Sequence, residues 1–304
     1  MTPGLFDDIA SFPDPDMHER YQALVGLDEM KERIEKEAEA LLRPDLLEKW
    51  SKDKHGSRLA ALDLVCRRPP LFIFAGDVGT GKTELATTFG DRLARTANLS
   101  VELFPLSLRA RGSGAVGEMT RLISDAFRAV KSHCPKNANG KKPASAVILL
   151  IDEADALAQS RELAQMHHED RAGVNALIRG IDDIAAAKLP CLTIMCSNRL
   201  NALDPAVRRR AAAVFEFNRP TLEFREQLLT AQLAGTDLTK ADFHVIATEL
   251  GEAKGRKYGY TFSDITQRFI PSLILSAYPT RKISRDLALK VIENTPPTPP
   301  FKEG

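Results

Sequence analysis

Apolar residues gather in five short runs in the middle of the chain, and these runs are rich in β-branched and aromatic side chains. The first four runs are apolar almost throughout, which is typical of strands buried on both faces of a parallel sheet. Between several of the runs, apolar residues recur at helical spacing. The pattern therefore predicts an α/β fold in which helices flank a five-stranded parallel sheet, with strands at residues 71–76, 101–107, 146–152, 191–198 and 213–218.

The two ends of the chain have different patterns. Residues 1–24 contain several acidic residues and prolines with little periodicity, which predicts an N-terminal arm. Residues 25–219 hold the five runs and form the predicted large α/β domain. After Pro220 only helical spacing remains, so residues 220–292 are predicted to form a small helical lid domain. The proline-spaced residues 293–304 are expected to be an extended, flexible tail.

The charges of the chain are almost balanced. Lysine and arginine number 42, and aspartate and glutamate number 41, so the formal net charge is +1. This balance argues against a protein that coats nucleic acid tightly. The four cysteines stand singly, without the paired spacing of a structural zinc site, and this fits a reducing compartment. No secretory signal pattern and no membrane-spanning apolar run is present. We expect a cytoplasmic protein without a membrane partner.

The sequence GDVGTGKT at residues 76–83 follows the first apolar run and precedes a predicted helix. This is the pattern of a phosphate-binding loop, in which glycines let backbone N–H groups converge on phosphate oxygens at a helix N-terminus. Lys82 would reach the β and γ phosphates, and the Thr83 hydroxyl suits Mg²⁺. A glycine-rich turn with a surface lysine is the alternative interpretation. The predicted nucleotide-binding residues here are Gly76, Val78, Gly79, Thr80, Gly81, Lys82, Thr83 and Glu84.

The third apolar run ends at the acidic residue Asp152, and Glu153 follows it directly. In α/β folds the carboxyl ends of parallel strands form the rim where ligands bind. Asp152, with Thr83, is a candidate Mg²⁺ ligand, and Glu153 is a candidate for orienting and polarising the attacking water. An acidic helix N-cap is the alternative for such a pair.

Two further polar segments follow the later strands. Asn198 ends the fourth run and is a candidate for contacting the γ-phosphate or the attacking water, although Ser-Asn after a strand, taken alone, is more often just a turn. Three consecutive arginines, which include Arg209 and Arg210, precede the fifth run. By themselves these arginines favour a solvated basic turn or a contact with a phosphate backbone.

Together these motifs resemble the AAA+ ATPases over roughly residues 25–292. GDVGTGKT resembles Walker A, ILLIDEAD resembles Walker B, Asn198 resembles sensor 1, and the segment LDPAVRRR resembles the part of that family that carries arginine fingers. The resemblance implies ATP and Mg²⁺ as cofactors, a homo-hexameric ring, and arginine fingers at Arg209 and Arg210 that reach the neighbouring protomer. It also implies that Gly26 lies on the adenine side of the site.

Within the AAA+ ATPases, the chain resembles the HORMA-remodelling branch named for thyroid receptor interactor thirteen and pachytene checkpoint protein two. The segments that carry this resemblance are RAGVNALIRGIDDI, LTIMCSNRLNALDPAVRRR and TFSDITQRFIP. It implies an ATP-driven remodeller that converts or disassembles complexes of a HORMA-domain protein. Bacterial relatives act beside nucleotide-second-messenger synthases in antiphage defence, so a nucleotidyltransferase is an implied second partner.

The chain departs from that branch at three places. Residues 1–24 are too short for the branch's substrate-recognition domain, which implies a shorter, prokaryotic type of relative. The loop after the second run lacks the aromatic residue with which family pores grip substrate, so Arg109, Arg111 and Val116 would have to handle it. Ile265 stands where the sensor 2 arginine is expected, which leaves Arg268 as a substitute at the nucleotide.

Two other functions stay open at this point. One is an AAA+ loader or initiator that acts on nucleic acid, against which the near-neutral charge and the lack of an added DNA-binding module weigh. The other is a nucleotide-gated scaffold without turnover, against which the intact Glu153 weighs.

Overall fold

The structure is a computed structural model, and it describes residues 4–107, 117–135, 143–156, 168–253 and 256–300. Contacts along the chain divide it into two compact units. The first unit comprises Met1–Ala23, Glu29–Ala75 and Thr83–Glu216, and the second comprises Leu24–Asp28, Gly76–Lys82 and Phe217–Gly304.

A six-stranded sheet organises the larger unit, with the strand order β1-β3-β4-β5-β2-β6. Adjacent strands run parallel from β3 through β4 and β5 to β2, as expected for strands that are apolar on both faces. The strands are β1 (Ala10–Phe12), β2 (Leu71–Gly76), β3 (Ser100–Pro105), β4 (Ser145–Ile151), β5 (Cys191–Ser197) and β6 (Ala213–Phe217). The predicted α/β fold with flanking helices is confirmed, and all five apolar runs are strands.

The sheet nevertheless has one strand more than the sequence predicts. β1 lies within the predicted arm and pairs antiparallel with β3, Ala10 opposite Leu103 and Phe12 opposite Val101. A strand of three residues shows too little alternation to be recognised, and here it is preceded by two aspartates and followed by proline. The five-stranded, wholly parallel sheet of the prediction is therefore corrected to six strands with an antiparallel edge.

Eight helices surround the sheet in the described part of the larger unit. Apolar residues of several of these helices pack with the buried strands in a core that includes Ile73, Phe104, Leu149 and Ile181, each almost fully buried. The helices are α1 (Pro15–Gln22), α2 (Asp28–Leu42), α3 (Pro44–His55), α4 (Leu62–Cys66), α5 (Lys82–Ala97), α6 (Glu118–His133), α7 (His168–Ala186) and α8 (Pro205–Arg208).

The smaller unit is helical after β6. Its helices are α9 (Leu222–Gln232), α10 (Lys240–Glu249), α11 (Ile270–Ala277) and α12 (Arg285–Asn294), and a π-helical turn, Asp264–Phe269, leads into α11. The turn places Ile265 and Phe269 in the core of this unit, where both are fully buried. No helix in the described ranges is long and apolar enough to cross a membrane.

The residues after α12 return to the π-helical turn. The backbone N–H and hydroxyl of Thr298 donate to the two carboxylate oxygens of Asp264, at 3.0 and 2.7 Å. Burial alone would raise the pKa of Asp264, but hydrogen bonds from Thr298 and Thr261 outweigh it and hold that pKa below its ordinary value. Residues up to 300 are thus attached to the smaller unit, where the sequence predicts a flexible tail; the predicted domain boundaries stay a prediction.

Candidate functional site

Two glycines give the phosphate-loop motif its shape in the smaller unit. A Cβ on Gly76 would lie 2.1 Å from the carbonyl oxygen of Phe217, so no larger residue fits there. Gly79 has a φ of +74°, and a Cβ on it would lie 2.7 Å from the Thr261 hydroxyl. The carbonyl of Gly79 accepts a hydrogen bond from the backbone N–H of Ser263 at 3.0 Å. These contacts explain why the motif has glycine at these two positions.

The side chains of Lys82 and Thr80 donate hydrogen bonds to the backbone of the loop. The Nζ of Lys82 donates to the carbonyls of Gly76 and Asp77 at 2.9 and 2.7 Å, and the lysine is 6% exposed. The buried Thr80 hydroxyl donates to the carbonyl of Asp77 at 2.8 Å. Val78, by contrast, is 41% exposed at the outer side of the turn. The loop is therefore held by its own polar groups, with the lysine ammonium directed at its backbone.

An ion pair that the sequence did not reveal supports the same loop. The carboxylate of Asp77 accepts a hydrogen bond from the Nε of Arg219 at 2.8 Å. Arg219 follows β6 and also donates to the carbonyls of Gly259 and Thr298, while its guanidinium lies 5.1 Å from the centre of the Tyr258 ring. Because both side chains of the pair are largely buried, the contact fixes the second residue of the motif more firmly than a surface ion pair would.

The two predicted Mg²⁺ ligands meet within the larger unit. The Thr83 hydroxyl donates to Asp152 Oδ2 at 2.9 Å. Thr83 is the second residue of α5, and Asp152 follows β4 directly. The registers place Ile151 opposite Met195 and Ala75 opposite Ser197, so β4, β5 and β2 end at the same edge of the sheet. The sheet topology thus brings together two residues that are 69 positions apart.

Glu153 has a backbone conformation that is uncommon for a side chain of its kind. Its φ is +49°, in the left-handed region, and its backbone N–H donates to Asp152 Oδ1 at 2.9 Å. Residues held in such conformations cost free energy and concentrate at functional sites. The side chain is exposed, so it is accessible to a reactant at the end of β4.

Asn198 lies beside the acidic segment because β5, which it follows, pairs with β4. Its backbone N–H donates to Asp155 Oδ1 at 3.3 Å, and the Nε of Arg199 lies 3.8 Å from Asp155 Oδ2. Asp155 thus links the end of β4 to the end of β5. The sequence shows it only as a third acidic residue in ILLIDEAD, without a role.

The two predicted arginine fingers have different surroundings. Arg209 is exposed. Arg210 is held by its own chain: its Nε and Nη2 donate to the Asp182 carboxylate at 2.8 and 3.0 Å, and its Nη1 donates to the carbonyl of Ala206 at 3.1 Å. The hydrogen bonds that Arg210 donates to Asp182 raise the pKa of the Arg210 guanidinium above its ordinary value. Asp182 on α7 is a further residue that the sequence analysis did not single out.

The remaining predicted residues lie at several places. Gly26 has a φ of +74°, and a Cβ there would lie 2.7 Å from the ring of Phe224 on α9. Glu84 is bound by Arg20 of the arm. Arg268 donates to Asp264 at 3.1 Å and lies 3.4 Å from the Thr298 hydroxyl, so its contacts are with the π-helical turn and with the residues after α12. Gly81 has a φ of +96° near Leu27. The predicted substrate-handling residues Arg109, Arg111 and Val116 lie outside the described residues.

Comparison with known proteins agrees with this geometry. The family model described as ATPase family associated with various cellular activities (AAA) matches residues 72–219. CD-NTase-associated protein 6 of Escherichia coli (strain MS 115-1) is 53% identical to this chain over 299 residues, which is 98% of this chain and 96% of that protein. The chain belongs to the AAA ATPase family. A protein of the same name from Escherichia coli (strain KTE188) is 38% identical over 297 residues, 97% of each chain.

Solved structures resemble this AAA protein along almost its whole length. A chain of the E. coli MS115-1 HORMA:CdnC:Trip13 complex matches it with a TM-score of 0.92 and 52% identity, covering 98% of both chains. Rhizobiales Trip13 matches with a TM-score of 0.78 and 43% identity, covering 97% of this chain and 100% of that one. C. elegans PCH-2, at 18% identity and a TM-score of 0.66, shares the fold. The predicted resemblance to the thyroid receptor interactor thirteen branch is confirmed.

The residues that sequence reasoning missed in this AAA protein share one property. Arg219, Asp155 and Asp182 are partners of residues within the predicted motifs, and they are separated from those partners by 142, 43 and 28 positions, respectively. A motif records the residues that touch the ligand, whereas nothing in the local sequence marks the residues that hold them. The charge of all three residues was visible, but their pairing depends on the fold.

Proposed function

We propose that this chain is an ATP-hydrolysing AAA remodeller that unfolds or disassembles a HORMA-domain protein and its complex with a nucleotidyltransferase in antiphage defence. The observation that carries the proposal is the 52% identity, over 98% of both chains, to a chain of the E. coli MS115-1 HORMA:CdnC:Trip13 complex. At this similarity the surfaces that meet a partner are expected to be shared as well as the fold. A cytoplasmic location accords with this function and stays a prediction of the sequence.

Mg²⁺ would be held by Thr83 and Asp152. Both offer oxygen donors, which Mg²⁺ prefers, and the hydroxyl and carboxylate oxygens lie 2.9 Å apart, so a cation can be shared between them. When bound, the ion would neutralise charge on the β and γ phosphates. Lys82 would supply a further positive charge to the same phosphates, and the glycines of the loop would let backbone N–H groups approach them.

Glu153 is proposed as the residue that orients the attacking water and accepts its proton. Phosphoryl transfer needs mainly positioning and charge stabilisation, so a fixed carboxylate beside the γ-phosphate is sufficient for this step. The strained backbone at Glu153 and the hydrogen bond from its N–H to Asp152 support this role, because they fix the position of the backbone from which the side chain extends. Asn198, on the neighbouring strand, would hold the same water or a γ-phosphate oxygen.

The arginine fingers are proposed to act in a hexameric ring. Arg209 supports this assignment by its exposure just before β6, where a neighbouring protomer could receive it. Arg210 is proposed as the second finger, and its bidentate contact with Asp182 would orient the segment that presents both residues. Each site would then combine Lys82 of one protomer with an arginine of the next.

The test uses the full-length chain with a Glu153→Gln substitution. In the presence of ATP and Mg²⁺, this variant should remain bound to its client, and mass spectrometry of the co-purifying proteins should find a HORMA-domain protein. Lys82→Ala, which should not bind ATP, is the matched control and should recover none. Recovery of the same proteins with both variants, or of DNA with the Glu153→Gln variant, would contradict the proposal.

A further inference from the structure

The arm, residues 4–23, is fastened along the edge strand of the sheet. Besides the pairing of β1 with β3, the backbone N–H of Asp7 donates to the carbonyl of Pro105 at 3.0 Å, and the N–H of Ser107 donates to the carbonyl of Leu5 at 3.1 Å. The arm therefore runs antiparallel to the whole of β3 before it turns into α1. Backbone hydrogen bonds at both ends of β3 fix the path of the arm.

A glycine inside α5 receives the arm. A Cβ on Gly90 would lie 2.3 Å from the ring of Phe12, which is 2% exposed. Glycine is less favourable than alanine in a helix interior, so its presence in the third turn of α5 is explained by the close approach of this ring. The helix that follows the phosphate-loop motif is thus shaped to bind the arm.

The next residue of α5 adds a buried polar contact. The side chain of Asp91 has no exposed surface, and its carboxylate accepts hydrogen bonds from the backbone N–H of Asp14 at 2.8 Å and from Arg95 Nε at 2.8 Å. The Nδ1 of His18 lies 2.9 Å from the same carboxylate. A buried carboxylate is costly unless it is fully paired, and two of its three partners belong to the arm. Docking of α1 onto α5 is therefore specific and not a loose surface contact.

Docking of α1 places one positively charged side chain at the start of α5. Arg20, near the end of α1, donates from Nε and Nη2 to the two carboxylate oxygens of Glu84, both at 2.8 Å. Arg20 Nη1 also lies 3.3 Å from the sulfur of Met17, one helical turn away. Glu84 is the residue immediately after the phosphate-loop motif, in the first turn of α5. The arm thus places a guanidinium against a carboxylate at this helix N-terminus.

The charge of Glu84 is unfavourable for the function proposed above. A helix N-terminus attracts anions, but a carboxylate in its first turn repels a polyphosphate that approaches the same turn. A bidentate arginine removes this net charge and also fixes the direction in which the carboxylate points. We infer that Arg20, presented by the docked arm, is a positioning residue of the nucleotide site that neutralises Glu84 and so permits tight binding of a nucleoside triphosphate. The inference rests on the proposed binding of ATP.

A double-mutant cycle on the full chain tests this inference. ATP affinity is measured with Mg²⁺ by calorimetry for the wild type, Arg20→Ala, Glu84→Gln and the double variant. Arg20→Ala should weaken ATP binding about threefold to tenfold at low salt, and the loss should shrink as salt rises from about 0.05 to 0.5 M, because exposed charges are screened. In the Glu84→Gln background no carboxylate is left to neutralise, so Arg20→Ala should cause no further loss of ATP affinity there.

Two further variants separate charge compensation from a structural effect. Arg20→Lys keeps the charge and should retain most of the affinity, although it loses the second hydrogen bond. Arg58→Ala removes another exposed arginine with two acidic partners, Glu48 and Asp63, remote in sequence from the arm and the motif, and it should leave ATP affinity unchanged.

The outcomes distinguish this inference from the function on which it rests. An equal loss from Arg20→Ala in both backgrounds, or a loss that salt does not reduce, would overturn the inference, since the arm would then be only a structural support. Wild-type affinity in the Arg20→Ala variant would overturn it too. Failure of the wild type itself to bind ATP would instead refute the proposed function.

Discussion

At the scale of single residues, the proposed role of Glu153 predicts that nucleotide binding and ATP turnover can be separated. A glutamine has the same shape but cannot accept a proton from water, so the Glu153→Gln variant should bind ATP normally. Its rate of phosphate release should fall by about a hundredfold or more, the usual contribution of a general base. Calorimetry for binding and a phosphate-release assay under the same conditions measure the two effects.

The control for this variant is Glu216→Gln, which neutralises an exposed carboxylate on β6. It should leave both ATP binding and turnover unchanged, because Glu216 is exposed and belongs to none of the motifs from which the nucleotide site is proposed. Turnover by Glu153→Gln close to the wild-type rate would remove Glu153 from the proposed chemistry and would point to another base.

The sequence predicts the residues that are proposed to contact a nucleotide, but it does not predict the residues that hold them in place. Gly76, Lys82 and Asp152 belong to short patterns whose chemistry requires particular residue types at particular spacings. Arg219 supports the first of these patterns from 142 residues away, and no local spacing relates it to Asp77. Such pairs become visible only once the topology of the sheet fixes which segments are neighbours.

At the scale of elements, the sequence predicts best where burial imposes a long pattern. The run LFIFAG is strand β2 at the predicted bounds, because a strand that is buried on both faces must be apolar throughout. The strand β1 is short and lies between acidic residues and a proline, so its pairing depends on the neighbouring β3 and not on its own composition. The attachment of the chain end through Thr298 escapes prediction for the same reason.

The π-helical turn supplies a prediction about stability and pH. Asp264 is nearly fully buried and accepts hydrogen bonds from Thr298 and from the N–H of Thr261. Asp264→Asn would leave some of these donors unpaired, and we expect a loss of about 2–4 kcal/mol in the free energy of unfolding at neutral pH. Thermal unfolding of the two proteins at a series of pH values measures it.

The sign of the pH dependence follows from the lowered pKa of Asp264. A carboxyl whose pKa is lower in the folded state stabilises the fold above its unfolded pKa, about 3.9, and this contribution disappears as the pH falls through the folded value. The difference in melting temperature between wild type and Asp264→Asn should therefore be largest near neutrality and shrink below about pH 4. A difference that is constant with pH would mean that the charge of Asp264 is not what stabilises the turn.

At the scale of the whole molecule, the proposed ring makes activity a property of two protomers. Arg209→Ala and Lys82→Ala protomers should each be inactive alone, because one lacks the finger and the other lacks the phosphate-binding lysine. In an equal mixture, about a quarter of the sites should pair an intact Lys82 with an intact Arg209, and ATP turnover should partly return. The measurement is the steady-state rate as a function of the mixing ratio.

The assembly itself needs a check in the same experiment. Size-exclusion chromatography with light scattering should show mixed rings of the same mass as the wild type. Mixed rings that stay inactive at every ratio would indicate that each protomer completes its own site, and the exposure of Arg209 would then need another explanation.

The three residues of β1 have one more consequence, which concerns solubility. The outer margin of β3 would otherwise display a row of backbone groups without hydrogen-bond partners, and such a margin invites a strand from another molecule to add to it. By closing that margin with its own chain, the protein leaves intruding strands no template at this end of the sheet. A shortened version that starts at Pro15 should for this reason form insoluble aggregates on storage at concentrations where the intact chain stays clear.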